Sequence, residues 1–349
     1  MSAKMKAAVL HAIGDLRVEE VEKPAITAPD QALVRIRAVG VCGSDVHFYQ
    51  RGRIGPYVVK DPVILGHESA GEVVEVGTAV THLRPGDRVA IEPGVPDRTC
   101  WYCKTGRYNL CAAVPFMGTP PWNGAFCEYV AWPADFCFKL PDGLSFEEGA
   151  MAEPLAVAMQ GTKRGDVGAG QSVAVLGSGP IGLMTLQAAR ARGATRIIVT
   201  DIQQSRLELA GKVGATDLIN AREADPVERV RELTGGDGVD VALETAGTVK
   251  TTQQACAMVR MGGVVVLIGM PGELEFTMPV LDIICREYDV RGVFRYCNCY
   301  PPALALLGAR RVDVKSLITH RFPLAEAKAA VDCAKDRKDV AVKVMVEIG

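Results

Sequence analysis

One glycine-rich segment constrains the fold of this chain more than any other feature. The run Gly177-Ser178-Gly179-Pro180-Ile181-Gly182 directly follows a predicted strand, Gln171–Leu176, and opens a predicted helix, Ile181–Arg192. In such a loop the first glycine permits a tight turn, the second lets the backbone approach a pyrophosphate, and the third allows close packing of helix on strand. The positive end of the helix would then face the anion. This context predicts a dinucleotide-binding unit rather than a simple turn.

An acidic residue supports this interpretation and indicates which dinucleotide binds. Asp201 ends the next predicted strand, Arg196–Asp201, at roughly the expected interval of about 20 residues from the first glycine. A carboxylate there can accept hydrogen bonds from the ribose hydroxyls and would repel a 2′-phosphate. We therefore predict NAD rather than NADP, although Arg206 is close enough in sequence to weaken that rejection.

The pattern along the chain predicts two domains of different class, as its 349 residues also suggest. From about Gly170 onward, strands alternate with helical stretches, which indicates a parallel, doubly wound sheet. The earlier part has short alternating strands and turn signals, which favours a mainly β domain. The other predicted elements are strands Ala32–Val39, Gly71–Val76, Asp87–Glu92, Phe126–Val130, Val239–Ala246, Gly262–Gly269 and Asp289–Phe294, and a helix at Gln203–Val213.

Composition excludes several classes of function. Lys plus Arg number 39 and Asp plus Glu number 41, so no basic excess exists to neutralise a nucleic acid. Apolar runs such as Gly262–Met270 fall far short of the ~20 residues that span a bilayer. The first residues show no apolar stretch typical of a secretory signal, so the eleven cysteines favour thiol or metal chemistry over disulfides. We expect a soluble, cytoplasmic enzyme.

A second set of residues, in the β-rich half, suits a metal ion. Cys42 begins the run Cys42-Gly43-Ser44-Asp45, and His67 and Glu68 follow Gly66. A thiolate, an imidazole and a carboxylate are a reasonable set for a catalytic zinc, which keeps one position open. Taken alone, Cys42 is also compatible with a small buried apolar residue and His67 with a core histidine. A dinucleotide site in the same chain favours the metal.

Considered together, these features resemble the zinc-dependent medium-chain dehydrogenases, specifically the sorbitol (L-iditol)/xylitol dehydrogenase branch. The resemblance covers nearly the whole chain. It implies a GroES-like catalytic domain formed by residues 1–155 and 295–349, a Rossmann NAD-binding domain at 156–294, and a homotetramer. The motifs that carry it are Cys42-Gly43-Ser44-Asp45, Gly66-His67-Glu68 with Gly71 and Gly77, Glu153-Pro154, Gly177–Gly182, and Phe294-Arg295-Tyr296-Cys297-Asn298.

The resemblance also assigns roles to individual residues. Cys42, His67 and Glu68 would hold the catalytic zinc together with a water, and Glu153 would lie beside the metal, directly or through that water. Zinc, one thiolate and one carboxylate then form a formally neutral site. Our hypothesis for the mechanism is that Glu153 assists proton loss from the substrate hydroxyl and that a relay runs through Ser44 and His47. Further implied cofactor contacts are Pro180, Ile181, Arg206, Ile268, Gly269, Met270, Val293, Phe294 and Arg295.

Substrate class follows from two residues at the exit of the last predicted strand. Arg295 and Tyr296 are, by themselves, compatible with a surface salt bridge and a packed ring. With the resemblance and Glu153, they indicate hydrogen bonding to the hydroxyls of a linear polyol. Phe48 stands where this branch often has a tyrosine that touches substrate. The loss of one hydroxyl there is expected to relax or shift polyol preference.

The chain departs from the family at a lobe that often carries four cysteines spaced C-x2-C-x2-C-x7-C around a structural zinc. Cys100, Cys103 and Cys111 are in register, but Asp97 occupies the first position. A carboxylate oxygen can ligate zinc, so three cysteines and one aspartate form an allowed site. A metal-free lobe, as in some polyol dehydrogenases, is equally compatible.

Three functions remain open from the sequence. The first is zinc- and NAD-dependent oxidation of a polyol, such as xylitol or sorbitol, to the ketose. The second applies the same chemistry to a small diol, threonine or a simple secondary alcohol. The third is a non-catalytic nucleotide-binding protein, which the presence of Cys42, His67 and Glu68 disfavours.

Overall fold

The structure of the protein, a computed structural model, describes residues 3–273 and 275–349. Its strands are β1 Lys4–Ala12, β2 Asp15–Glu22, β3 Gln31–Gly40, β4 Arg53–Ile54, β5 Tyr57–Val58, β6 Val63–Ile64, β7 Glu68–Val76, β8 Arg88–Ile91, β9 Tyr129–Pro133, β10 Cys137–Lys139, β11 Ser172–Leu176, β12 Arg196–Asp201, β13 Asp217–Asn220, β14 Val239–Glu244, β15 Val259–Leu267, β16 Asp289–Gly292, β17 Ile318–Pro323 and β18 Lys343–Glu347. Its α-helices are α1 Gly43–Arg51, α2 Trp101–Lys104, α3 Phe146–Ala150, α4 Ala152–Arg164, α5 Pro180–Ala191, α6 Gln204–Lys212, α7 Pro226–Leu233, α8 Val249–Met258, α9 Val280–Arg286, α10 Tyr300–Gly308 and α11 Ala327–Asp336. No helix in these described ranges is both long and apolar enough to cross a membrane.

The chain forms two compact units that are not contiguous in sequence. The first unit takes the residues up to Glu153 and regains the chain at Tyr300–Ala309 and Val314–Gly349. The second unit takes Pro154–Cys299 together with Arg310–Asp313.

The second unit is built on a six-stranded sheet in the order β13-β12-β11-β14-β15-β16. Every neighbouring pair in this sheet is parallel. Four of the five residues of β11 are buried, as expected of a central strand in a parallel sheet. The predicted doubly wound α/β class is therefore confirmed. Helix α5 begins at Pro180. Proline fits this position because the N–H groups of the first helical turn have no hydrogen-bond partner within the helix, so the missing N–H of proline costs nothing.

The first unit contains a larger, mainly antiparallel sheet in the order β10-β8-β7-β3-β18-β17, with β9 also pairing with β3. Strand β3 lies between β7 and β18 and is largely buried. A three-stranded sheet, β2-β1-β6, adds to the same apolar core. The end of β3, the start of β7 and the start of β18 are adjacent, and each contributes to the candidate site.

One predicted strand is displaced. The sequence pattern suggested a strand at Phe126–Val130, whereas the structure has β9 at Tyr129–Pro133. Residues 124–126 instead bond to two different segments: Phe126 donates from its N–H to the carbonyl of Leu65 and accepts at its own carbonyl from Ala8. An alternating apolar pattern indicates a buried extended segment. It does not distinguish a strand that pairs with its neighbours in a sheet from a segment that hydrogen-bonds to two separate parts of the chain.

Tyr300 anchors the chain where it returns to the first unit. Its side chain is fully buried, its hydroxyl donates to the carbonyl of Ile91 at 2.7 Å, and its ring lies 5.3 Å from that of Phe138. Replacing it removes both an apolar contact and the partner of a buried carbonyl.

We expect Tyr300→Phe to lower the free energy of unfolding of the first unit by ~1–2 kcal/mol, since the Ile91 carbonyl loses its donor. Tyr300→Ala adds a cavity and should cost ~3–5 kcal/mol. The half-exposed Tyr102 provides a control, because Tyr102→Phe should stay within ~0.5 kcal/mol of the parent. Chemical denaturation followed by circular dichroism measures all three. Equal stability of Tyr300→Ala and the parent would contradict this role.

Candidate functional site

The site in the first unit begins with a carboxylate that joins two segments of the chain. Cys42 precedes helix α1, and Asp45, in the first turn of that helix, accepts a hydrogen bond from the N–H of Cys42 at 2.8 Å. Its other oxygen accepts from the N–H of Gly66 at 3.0 Å. Asp45 is fully buried, so these charge-assisted bonds are shielded from water. They hold the segment of Cys42 against the segment that carries His67 and Glu68.

Three potential metal ligands converge as a result. Cys42, His67 and Glu68 each offer one ligand atom, and these atoms lie within 4.8 Å of one another. His67 and Glu68 are almost completely buried. The Nδ1 atom of His67 is buried and has no hydrogen-bond partner among the residues that the structure describes. Sulfur, nitrogen and oxygen donors at this spacing fit a divalent zinc ion, so the residues present are compatible with the implied metal.

Negative groups dominate the surroundings of the imidazole. Burial lowers the pKa of His67, but the neighbouring Cys42, Asp45 and Glu153 raise it, with a net value of about 10. Glu153 lies in the first turn of α4 and is itself buried. An environment that attracts a proton this strongly also favours a metal cation at the same place. The structure thus brings Glu153 into the electrostatic surroundings of the three ligands.

Sequence analysis missed one charged residue in this cluster. Nζ of Lys343, at the start of β18, lies 2.7 and 2.6 Å from the two carboxylate oxygens of Glu68. Burial lowers the pKa of Lys343, but the charges of Glu68 and Cys42 outweigh it and the net shift is upward. The sequence shows only a lysine at the beginning of an apolar segment, and a solvent-exposed lysine at the end of a strand gives the same pattern.

The proposed proton-transfer residues lie on α1. The hydroxyl oxygen of Ser44 is buried and has no hydrogen-bond partner among the described residues. His47 is half-buried, and burial together with Arg51 and Lys338 lowers its pKa. Phe48 is 2% exposed and packs in the apolar core of the first unit.

A second cluster of potential ligands occurs in the lobe. Asp97, Cys100, Cys103 and Cys111 each present one ligand atom, and all of these atoms lie within 4.8 Å of one another. One oxygen of Asp97 accepts from the N–H groups of Thr99 and Cys100. Bonds to the backbone at Cys100 and Thr99 hold the pKa of this carboxyl well below its usual range. Although Asp97 is exposed, its carboxylate is held beside the cysteines, with Sγ of Cys103 3.4 Å from the same oxygen.

The second unit carries the glycine loop as the sequence predicts. Gly177 has a φ of 97°, a conformation that favours glycine. A Cβ on Gly182 would lie 1.9 Å from the carbonyl oxygen of Gly177, so helix α5 approaches the loop too closely for any side chain. One oxygen of Asp201 accepts from the N–H and hydroxyl of Ser178 at 2.6 and 2.8 Å. Asp201 therefore holds the glycine loop in place through Ser178, in addition to its predicted contact with the ribose.

The remaining predicted residues lie in the second unit with the loop. Arg206 reaches Gly179, where a Cβ would be 3.7 Å from its guanidinium. The guanidinium carbon of Arg295 lies 4.8 Å from the ring centre of Phe294, and Tyr296 is buried. Met270 and Phe294 are substantially exposed, and Ile268 is buried. Pro180, Ile181, Gly269 and Val293 are half-buried.

Comparison with known proteins identifies the family. A zinc-binding dehydrogenase model matches residues 180–309, and an alcohol dehydrogenase GroES-like domain model matches residues 28–142. The sorbitol dehydrogenase of Bacillus subtilis is 46% identical over 98% of this chain and 97% of its own length. An Escherichia coli oxidoreductase of unknown specificity is 39% identical, with a TM-score of 0.95 over 99% of this chain and 100% of that chain.

A zinc-binding dehydrogenase from Sinorhizobium meliloti, solved with NADP, is 35% identical, with a TM-score of 0.92 over 99% of this chain and 100% of that one. One family model covers the ligand cluster, and the other begins at Pro180, within the glycine loop, and covers the strands that follow it. The match to sorbitol dehydrogenase extends over nearly the whole chain. This chain belongs to the zinc-dependent medium-chain dehydrogenases, in their sorbitol dehydrogenase branch.

Proposed function

We propose that this protein oxidises a polyol, such as sorbitol or xylitol, to the corresponding ketose and transfers the hydride to NAD. The observation that carries this proposal is the convergence of Cys42, His67 and Glu68 in a chain that also has a dinucleotide loop. The first unit would supply the catalytic domain and the second the cofactor domain. A zinc ion held by these three residues would act as a Lewis acid that polarises the substrate oxygen.

The surrounding side chains account for proton transfer. Glu153 is a buried carboxylate, and its charge raises the pKa of His67. A carboxylate at this place is suited to accept the proton of the substrate hydroxyl. The buried hydroxyl of Ser44, for which the described residues supply no hydrogen-bond partner, has a lone pair to accept a proton and a proton to pass on. His47, kept neutral by its lowered pKa, can take the proton toward solvent.

The second unit carries the residues that we propose for cofactor and substrate binding. The backbone N–H groups at the start of α5 bind the pyrophosphate, and Asp201 accepts hydrogen bonds from the adenosine ribose. Arg295 and Tyr296 donate to substrate hydroxyls, which favours a linear polyol over a simple alcohol. Binding of both cofactor and substrate by one enzyme reduces the ordering that hydride transfer requires.

We also propose that the enzyme is a cytoplasmic homotetramer. Strand β16 is an edge of the parallel sheet of the second unit. Beside it in sequence, α9 exposes three apolar side chains, Val280, Leu281 and Ile284, each more than half accessible. A free edge next to exposed apolar side chains is a feature that subunit contacts typically cover.

Initial rates on a substrate panel test the proposed activity. We expect pentitols or hexitols with NAD to exceed 2,3-butanediol, threonine and 2-propanol in kcat/KM. Cys42→Ser should lower kcat/KM by more than about 100-fold, because changes outside the ligand shell already cost 10–100-fold. Cys285→Ser, at an exposed cysteine, is the matched control and should retain parental rates. A diol or threonine as the best substrate, or an active Cys42→Ser enzyme, would contradict the proposal.

Cofactor preference can be tested at Asp201. Asp201→Asn retains one side-chain oxygen that can accept the hydrogen bonds of Ser178. It removes the negative charge that opposes a 2′-phosphate. We expect the ratio of kcat/KM with NAD to that with NADP to fall about 10- to 100-fold, the equivalent of one charge-assisted hydrogen bond. Asp217→Asn, on the neighbouring strand β13, should leave the ratio unchanged. An unaltered ratio in Asp201→Asn would contradict the assignment of NAD specificity to this carboxylate.

We further propose that the lobe binds a second zinc, which metal analysis can establish. The parent should then contain about two zinc ions per chain, and Asp97→Ala or Cys103→Ser about one, with a lower thermal midpoint, since a structural zinc contributes directly to folding. Cys42→Ser should also lose one zinc but, unlike the lobe variants, with loss of activity. A parent that contains about one zinc, unaffected by Asp97→Ala, would show that the lobe is metal-free.

A further inference from the structure

Three neighbouring strands bring a buried ion pair to the metal-ligand cluster. Glu68 begins β7, Gly40 ends β3 and Lys343 begins β18, and β3 lies between the other two strands. In the register of the sheet, Gly40 is opposite Glu68 on one side and Met345 on the other. The glutamate and the lysine therefore approach each other across the end of the central strand.

The absence of a side chain at Gly40 permits this approach. Strands β7 and β18 are two strand spacings apart, or about 10 Å. A Cβ on Gly40 would lie 2.0 Å from Oε2 of Glu68, so any other residue would displace the carboxylate. Lys343 is long enough to cross this gap, and its Nζ reaches the same oxygen at 2.6 Å.

The donors of Lys343 are fully used at this position. Besides both oxygens of Glu68, Nζ donates to the carbonyl of Val41 at 3.3 Å, directly before Cys42. Lys343 is 2% exposed and Glu68 is 1% exposed. Removing one member of such a buried pair leaves the other charge without compensation. Carboxylate oxygens have about four lone-pair sites, so Glu68 retains capacity for a metal ion.

We propose that Lys343 is a positioning residue of the metal centre. Its ammonium group fixes the carboxylate of Glu68 beside Cys42 and His67 and offsets part of the negative charge of that cluster. This inference rests on the proposed metal site at these three residues. It assigns a function to a residue outside the sequence motifs, and it makes Gly40 a steric requirement of the same arrangement.

Metal binding by the full-length protein tests this role without reference to turnover. All variants would carry Cys100→Ser and Cys103→Ser, which remove two of the four potential ligands in the lobe. The stripped proteins are titrated with Zn²⁺ against a chelator, and with Co²⁺ by visible absorption. We expect Lys343→Met to weaken zinc binding about 10- to 100-fold, the usual effect of losing a partner of a metal ligand. The Co²⁺ absorption should shift as well, because one ligand is no longer fixed.

Two further variants separate positioning from mere stabilisation of the fold. Lys343→Arg keeps the charge but offers a fork in place of a point donor. It should recover most of the zinc affinity while its Co²⁺ spectrum remains distinct from that of the parent. Gly40→Ala leaves Lys343 in place but displaces Glu68, so it should weaken zinc binding in the same direction. The matched control is Lys139→Met, at a half-exposed lysine paired with Asp87, which should bind both metals as the parent does.

The outcomes distinguish this inference from the function on which it rests. Parental zinc affinity together with an unchanged Co²⁺ spectrum in Lys343→Met would overturn the role of Lys343 and leave the metal site intact. If Lys343→Met does not fold, a Co²⁺ spectrum of Lys343→Arg identical to that of the parent would do the same. A parent whose metal binding is unaffected by Cys42→Ser would overturn the proposed site, and the role of Lys343 with it.

Discussion

The pair of hydrogen bonds accepted by Asp45 determines whether the rest of the site can exist. Cys42 and His67 come from different segments of the first unit, and the Asp45 carboxylate binds the backbone N–H of Cys42 and of Gly66. Because Asp45 is fully buried, water cannot replace either partner. The relative position of thiolate and imidazole is therefore fixed by the backbone before any ion binds, which is the form of preorganisation that a metal site requires.

The net charge of the metal-ligand cluster differs from the neutral value that the sequence alone suggests. Zinc held by one thiolate and one carboxylate, as proposed, would form a neutral site, but the buried ammonium of Lys343 adds a positive charge next to the carboxylate. A site with net positive charge stabilises negative charge that develops on a substrate oxygen better than a neutral one. Glu153, a buried carboxylate whose charge acts on His67, opposes this effect. The chemistry of the site depends on the balance between these two buried groups.

Features with a local cause could be predicted from the sequence. The glycine loop, the strand before it and Asp201 were found because tight turns and close backbone approach require glycine, and because strands and helices differ in period. Cys42, His67 and Glu68 were found because their types and neighbours match a family motif. The strand at Phe126–Val130 was misplaced, since the same alternation fits a segment that bridges two others. Lys343 was missed because its role depends on a partner 275 positions away and on a glycine in the strand between them.

Crystals of the full chain, with diffraction recorded on both sides of the zinc absorption edge, test the central claim most directly. The account predicts an anomalous peak within ~2.3 Å of the sulfur of Cys42 and ~2.1 Å of a ring nitrogen of His67, with a carboxylate oxygen of Glu68 on the same ion. A map with no peak between these residues, or a peak that only one of them contacts, would contradict it.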